Sequence, residues 1–406
     1  MNRPRRALSR LAVGLAALYA VDRLAKFAAL FAFIRRPTPS APDRWPAVTI
    51  LHPISRTIGD HNPLAANLAA CAHLDYPGPR RHLLLCDAAD GYSLATCRAA
   101  TAAHPTLDAA IVPVHGEEGP LAPKIVKLMA GLAQLPPQEP DAVLCFIDDD
   151  IAPRPGSLRD LIAALDAPGE SVGAAFGLPC YTNWRTGWSA LLSTFNNANF
   201  PLAAAALAYI APPPRITGHL VAYRHALFVR AGGLDGLADQ IDDDFVFARR
   251  LGAIGAAIRQ TPVVYDVDND LASGPIFARQ LRRWFVLPRQ AMAGALTPQE
   301  AACGLLISAG LLLPPLVALT AALARTRTAY AALLATLTLF TTIALACERL
   351  LQHPAPPPPR RWWTFPAVAV AVPLGALAAT LFANDEVEWR GQRLRIAPGG
   401  RFERLP

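Results

Sequence analysis

Short apolar runs recur through the first half of the chain at residues 48–51, 83–86, 110–114, 143–147 and 172–176. Stretches of helical character lie between them at 63–74, 93–103, 121–132 and 158–165. Strands alternating with crossover helices predict an α/β fold on a largely parallel, doubly wound sheet. Beyond residue 298 the pattern changes. Segments 301–323, 328–347 and 364–384 carry no charged side chain over 23, 20 and 21 residues, each long enough to cross a bilayer. Pro314 and Pro315 predict a kink in the first, and residues 354–360 with Arg361 predict an exposed loop before the third.

Residues 7–34 are also apolar, but Asp22, Arg23 and Lys26 interrupt them, with Asp22 and Lys26 spaced to pair across one helical turn. A spanning helix with a polar middle and an amphipathic helix lying in the interface both fit this pattern; a cleavable signal peptide does not. The chain therefore divides into a membrane-associated helix and linker (1–46), an α/β domain (47–298), a transmembrane helical region (299–385) and a basic tail (386–406). Three spans after a cytoplasmic domain would put Arg390, Arg393, Arg395, Arg401 and Arg404 on the far side, against the positive-inside tendency. Either one segment re-enters or the tail is an exception. Arg3, Arg5, Arg6 and Arg10 raise the same conflict if the first helix spans.

With 406 residues, 53% of them hydrophobic, and a mean hydropathy of +0.27, the chain can build one sizeable soluble domain beside a membrane part, which excludes a disordered protein. The net charge of +7 comes mainly from arginines near the ends and around the C-terminal apolar segments. That distribution suits anionic lipid headgroups; no aromatic-interleaved basic stripe argues for nucleic acid. The seven cysteines are scattered and never spaced as CxxC. They predict neither a disulfide framework nor a zinc site, but small core residues of a domain kept in a reducing cytoplasm.

Three polar clusters carry candidate chemistry. Asp148, Asp149 and Asp150 close the apolar run 143–147, and three like charges cannot all stay ionised and buried, so they belong at the exposed C-terminal end of a strand. The spacing of Asp148 and Asp150 lets both reach a divalent cation; a solvated acidic turn is the plain alternative. Asp242, Asp243 and Asp244 open a helical stretch, where they can cap backbone amides or supply a general base. Gln280, Arg283 and Trp284 lie on a helix just before the membrane segments, a place where Arg and Trp also serve as interfacial anchors.

In that order, with the acidic pair roughly ninety residues after the D-x-D and Q-x-x-R-W before the membrane helices, the chain resembles the processive-type, membrane-bound family-2 glycosyltransferases. A finer resemblance, to the ceramide glucosyltransferase family with its bacterial glycolipid and hopanoid-associated members, covers roughly residues 47–300. It rests on Leu74-Asp75-Tyr76-Pro77, Leu84-Leu85-Cys86, Pro123-Lys124-Ile125, Gly177-Leu178-Pro179, Gly232-Gly233-Leu234 and the Gln280 to Trp284 motif. Glu388, Trp389, Arg390 and Gly391 resemble a tail motif of bacterial members.

The resemblance implies a GT-A catalytic domain, a Rossmann-like nucleotide-diphospho-sugar transferase, ahead of transmembrane helices. It places Asp87 or Asp90 near the uridine and Lys124 at the sugar or diphosphate, with Asp148 and Asp150 at the nucleotide and a divalent metal, Mg²⁺ or Mn²⁺. Asp243 falls on the aspartate of the family's acidic pair and is the implied base, although this chain has Asp242 where the family commonly has glutamate. Gln280, Arg283 and Trp284, with Asp242 and His219, would face the acceptor and diphosphate; a lone histidine is more often structural.

The implied reaction is an inverting transfer of glucose or a related hexose from a UDP-sugar to a lipid hydroxyl such as ceramide. The enzyme would sit in the bacterial inner membrane with its catalytic domain in the cytoplasm. Hopanoid or diacylglycerol glycosylation and polysaccharide synthesis are the neighbouring alternatives. A metal-dependent lipid phosphohydrolase would need metal-ligand histidines or a phosphate-cradling loop that the sequence lacks. A membrane receptor that binds nucleotide-sugar without turnover is the remaining class.

Overall fold

The computed structural model describes residues 3–55, 62–115, 121–137, 139, 141–166, 169–352, 361–389 and 392–405. The loop expected at 354–360 and Arg390 and Gly391 of the tail motif lie outside them.

Val48–Ile54 (β1), Arg80–Asp87 (β2), Ala109–Val114 (β3) and Val143–Ile147 (β4) pair in parallel in the order β3-β2-β1-β4. Every residue of β4 is buried, which is why its sequence is a continuous apolar run. Leu64–Ala72 (α2), Gly91–Ala103 (α3), Pro123–Leu132 (α4) and Ser157–Leu165 (α5) occupy the expected crossover stretches. Proline opens α4 where its missing N–H is not needed.

The second half of the sheet departs from the parallel expectation. Ile151–Ala152 (β5), Val172–Tyr181 (β6), Leu220–Arg224 (β7) and Ala257–Val267 (β8) complete eight strands in the order β3-β2-β1-β4-β7-β6-β8-β5. β7 runs antiparallel to both β4 and β6, and β5 antiparallel to β8, so the sheet is mixed. The inserted β7 matters for the site because its start, Leu220, pairs with the end of β4, Ile147. The residues before β7 therefore meet the aspartates after β4, and the Asp148 amide donates to the His219 carbonyl at 3.0 Å.

Beyond the sheet come Gly187–Leu207 (α6), His225–Arg230 (α7), Asp243–Ala253 (α8) and Gly274–Leu287 (α9). Gly232 and Gly233, at φ +87° and +50°, form the left-handed turn after α7, a conformation few other residues adopt. Among the described residues, three helices are long and apolar enough to cross a membrane: Pro298–Ala324, Arg327–Leu351 and Thr364–Phe382. The first comprises Pro298–Ala309 (α10), a 3-10 turn at Gly310–Leu312 and Leu313–Ala324 (α11), so the regular helix breaks just ahead of Pro314 and Pro315. Arg327–Leu351 is α12, and the third joins Thr364–Pro366 (α13), a wider turn at Ala367–Ala371 and Val372–Phe382 (α14).

The N-terminal helix, Arg3–Ile34 (α1), packs along α11 and α12. Its Asp22 and Lys26 pair at 2.5 Å as their spacing predicts. At one end of this bundle the Ser9 and Thr326 hydroxyls are 2.7 Å apart; at the other, Phe33 and Cys347 share a buried cluster. Ser9 and Phe33 are separated by about 36 Å of helix, and the part from Arg23 onwards packs against α6 and β6 of the α/β domain.

Residues 386–404 form a sheet in place of the expected simple basic tail: Glu386–Trp389 (β9), Gln392–Ile396 (β10) and Phe402–Arg404 (β11), antiparallel throughout. It packs on the α/β domain. Ile241 N donates to Gly400 O and Phe402 N to Asp239 O, both at 3.0 Å, while Val387, Leu394, Ile396 and Phe402 share a buried cluster with Leu51 and Leu128.

A bilayer cannot pass between this sheet and the domain it packs on, so an even number of crossings separates them. Both ends of the third apolar helix lie beside that domain. Near its start the Thr194 and Thr364 hydroxyls are 3.0 Å apart and Arg361 bonds to the Arg185 carbonyl; just after its end Arg289 pairs with Asp385 at 2.7 Å. The end of α12 is likewise tied to the domain through Arg154, which donates to the Leu351 carbonyl at 2.6 Å. If α10–α11 and α12 are the two crossings, Thr364–Phe382 begins and ends on the face of the α/β domain. In sealed vesicles, a tag after Arg404 should share the sidedness of the catalytic domain and a tag before Arg3 should be on the opposite face; protease protection of a C-terminal tag while the catalytic domain is digested would refute this.

Candidate active site

The C-terminal ends of β1, β2, β3 and β4 form one rim of the sheet, where open α/β sheets place ligands. Asp148 leaves β4 at this rim, and Lys124, in the first turn of α4, reaches it with Nζ 3.0 Å from Asp148 Oδ1 and 3.4 Å from the Gly218 carbonyl. Burial disfavours the Lys124 ammonium, but the nearby carboxylates of Asp148, Asp244 and Asp243 outweigh that, and its pKa lies above the ordinary lysine value.

The second aspartate triplet separates into three roles. Asp242 is the N-cap of α8, its Oδ1 accepting from Phe245 N at 3.2 Å, so the helix-capping reading holds for this residue. Asp244 Oδ2 accepts from Gly218 N at 3.1 Å. Burial, then the neighbouring Asp243, push its carboxyl up to about 8 against the opposing pull of Lys124. Asp243 is raised as well, first by burial, with Lys124 opposing and Asp242 adding to the rise. Two adjacent carboxyls with one ammonium between them and Asp148 retain a proton more readily than isolated aspartates do.

Asp242, Asp243 and Asp244 open onto a cavity of about 510 Å³ whose lining also includes Gly218, His219, Tyr181, Arg283 and Trp284. Trp284 meets Tyr181 edge to face at 6.4 Å between ring centroids. His219 lies in this wall with Nδ1 3.4 Å from the Tyr265 hydroxyl. Burial pulls its pKa down to about 4, so at neutral pH it is an uncharged wall residue and a weak base. Gln280 does not reach the cavity lining: its Oε1 accepts from Arg283 Nη2 at 3.2 Å, one helical turn away, and so steadies the arginine.

On the other flank of the rim, Asp90 caps α3, accepting from Ser93 N at 3.2 Å and Ser93 Oγ at 2.6 Å, which commits its carboxylate to the helix start. Asp87 is buried at the end of β2 with Oδ1 accepting from Ala89 N at 2.9 Å. Both sit on the rim shared with Asp148, and neither lines the cavity. Asp149 has a defined structural role, since its Oδ2 accepts from Ser55 N at 2.6 Å and its carbonyl from Asn67 Nδ2 at 2.7 Å, tying the end of β1 and helix α2 to the acidic turn. Lys127, one turn beyond Lys124, is almost fully buried with Nζ 2.5 Å from the Ile54 carbonyl. The i,i+3 spacing of the two lysines was the available signal for it.

Among the described residues, no three His, Cys, Asp or Glu side chains are grouped to hold a metal. A divalent cation at Asp148 and Asp150 would need its remaining ligands from a diphosphate and water, an arrangement that suits hard carboxylate oxygens and Mg²⁺ or Mn²⁺.

A family model described as glycosyl transferase family 21 matches residues 11–402. Among solved structures the chain is similar to the mannosyltransferase PcManGT from Pyrobaculum calidifontis in complex with GDP-Man and Mn²⁺, at 20% identity and a TM-score of 0.54 over 92% of this chain and 99% of that one. GalNAc-T7 with UDP, GalNAc and Mn²⁺ is 10% identical at a TM-score of 0.42, over 62% of this chain and 49% of that one, about half its length. No curated protein matches the chain. The fold is a GT-A-like α/β domain joined to apolar helices.

Gly218 has no room for a side chain, since a Cβ would lie 2.1 Å from Asp244 Oδ1. Gly218→Ala should destabilise the protein by about 1–3 kcal/mol, read as a lower Tm. The raised Asp244 pKa means that the stability it contributes is present below the ordinary carboxylate range and is lost as pH rises towards about 8. Between pH 5 and 9 the wild-type Tm should therefore fall more steeply than that of Asp244→Asn; parallel curves would contradict the assignment.

Proposed function

The chain belongs to glycosyl transferase family 21 and is a glycosyltransferase, and from this premise we propose that it moves a hexose, glucose or a close relative, from a UDP-sugar to the hydroxyl of a membrane lipid such as ceramide, inverting the anomeric centre. The supporting observation is the placement of two chemistries on either side of Gly218 and His219. The rim with Asp148, Asp150 and Lys124 suits an anionic donor, and the cavity beyond Asp243 leads towards the membrane helices.

In this reading the acceptor hydroxyl enters the cavity beside Asp243. The carboxylate takes its proton as the oxygen attacks the anomeric carbon from the face opposite the diphosphate, and the electron pair of the breaking bond leaves with UDP. Lys124 and Arg283 supply positive charge to the departing diphosphate, and Asp244, held by the Gly218 amide, keeps the electrostatic field around Asp243 in place. Trp284 and Tyr181 give flat walls for a sugar ring. A divalent cation held by Asp148 and Asp150 would neutralise phosphate oxygens; the Mn²⁺ in PcManGT supports that role. Asp87 is the rim residue best placed for the uridine. The cellular setting we propose is the bacterial inner membrane, with the catalytic domain in the cytoplasm where nucleotide-sugars are made.

With purified protein, UDP-hexose and a lipid acceptor, Asp243→Asn should lower kcat by about 10²–10⁴-fold while leaving donor binding nearly intact. Full activity in that variant would remove Asp243 from the base role. Mass spectrometry of lipid extracts from cells with and without the gene should show one glycolipid class missing, and an unchanged glycolipid profile under expressing conditions would count against lipid glycosylation altogether.

A further inference from the structure

Asp243, at the start of α8, and Arg283 and Trp284, on α9, line one cavity although β8 lies between them in the chain. Tertiary contacts must set their spacing. The body of α8 has its own ties, since Arg249 pairs with Glu300 at 2.7 Å and Phe245 packs with Ala291 and Met292 of the wide turn Pro288–Met292 that follows α9. The segment leading into the aspartates is held by the C-terminal sheet. Ile241 N donates to Gly400 O and Phe402 N to Asp239 O, both at 3.0 Å, and Gln240 faces Arg401 in an antiparallel bridge. The same turn reaches the α9 side, where Gly399 N donates to the Gln290 carbonyl at 2.9 Å. Gly400 lies between the two segments. A Cβ there would be 2.9 Å from Ala291 Cβ, closer than carbon atoms pack, and 3.2 Å from Gln240 Oε1. Arg404 adds a third tie, donating from Nη2 to the Leu121 carbonyl at 3.2 Å, just ahead of α4 and Lys124.

We propose that Gly400 is a positioning residue: its carbonyl and its missing side chain set the distance between the segment leading into Asp242 to Asp244 and the turn after α9, and so hold Asp243 opposite Arg283 and Trp284. It touches no reacting atom and acts through Ile241 and Ala291. The effect on turnover rests on the glycosyl-transfer reading, whereas the spacing itself can be measured without it. A role confined to stability would make activity follow Tm; a positioning role makes activity depend on where a methyl group is added. Gly399 supplies the comparison. Its backbone is left-handed like that of Gly400, φ +88° against +85°, but a Cβ on Gly399 meets nothing within 4 Å. Alanine at either position carries the same backbone strain and keeps its N–H, and only at Gly400 does it wedge the two segments apart.

The test compares the full-length wild type, Gly399→Ala and Gly400→Ala in detergent by Tm, by hydrogen–deuterium exchange and by the kinetics of transfer from UDP-hexose to a lipid acceptor. Both variants should lose a similar amount of Tm. In Gly400→Ala alone, peptides covering residues 239–247 should exchange about tenfold or more faster than in the wild type. In that variant alone, kcat should also fall about tenfold or more with the donor KM unchanged, because a sub-ångström misplacement of the base acts on the chemical step. Wild-type protection or wild-type kcat in Gly400→Ala, or equal losses in Gly399→Ala, would overturn the proposal. If Gly400→Ala fails to fold, the wild type decides: under rising urea the amides of residues 239–241 and 399–402 should lose protection together, and release of the tail with Ile241 still protected would overturn it. Selective loosening of 239–247 in Gly400→Ala without sugar transfer by the wild type would support the Gly400 assignment and sink the transferase reading. Transfer with equal kcat in all three proteins would do the reverse.

Discussion

One half-buried ammonium holds the site together. Lys124 sits among Asp148, Asp243 and Asp244, groups that reach it from the end of β4 and the start of α8. Without that positive charge, two adjacent carboxyls near a third would be driven to protonate or to move apart. With it, Asp148 stays at the donor rim and the Asp243 and Asp244 pair keeps a raised proton affinity. The same balance makes the site responsive: an anion that drew on the Lys124 charge would weaken its hold on the acidic pair and change that pair's proton affinity.

The topology that makes this meeting possible lies in the mixed half of the sheet. An all-parallel sheet would carry the segment before β7 to the opposite rim; running β7 antiparallel beside β4 brings Gly218 and His219 onto Asp148. Gly218 then serves three neighbours at once: its amide binds Asp244, its carbonyl receives Lys124, and its missing side chain leaves space for the Asp244 carboxylate.

The parallel half of the fold was legible because strands buried on both faces need continuous apolar runs, as β4 shows. β8 was not, since Arg259 and Gln260 interrupt its apolar pattern, and β7 has only five residues. The structure brings the two acidic clusters into one region, but spacing could not divide labour within them. Asp242 and Asp90 proved to be helix caps, Asp149 a tie between β1, α2 and the acidic turn, and Gln280 a support for Arg283. Such assignments depend on which backbone amide lies within about 3 Å, a distance set by tertiary structure. The tail posed the same difficulty: its alternation of arginine with apolar residues reads as basic, yet Leu394 and Ile396 are buried in the core.

That tail also constrains the third apolar helix. Because β9 to β11 pack on the α/β domain and Thr364–Phe382 begins and ends beside it, both ends of the helix after α12 are held against the domain. The polar residues of α1 have a matching role on the other side. Asp22 and Lys26 cancel within one turn, while Arg23 reaches α6, so the helix that carries the costly charges is the one bound most firmly to the catalytic domain. Charges in an apolar helix normally weaken its insertion; here they also tie α1 to α6, so that α1, α10 and the aspartates at the start of α8 line one cavity.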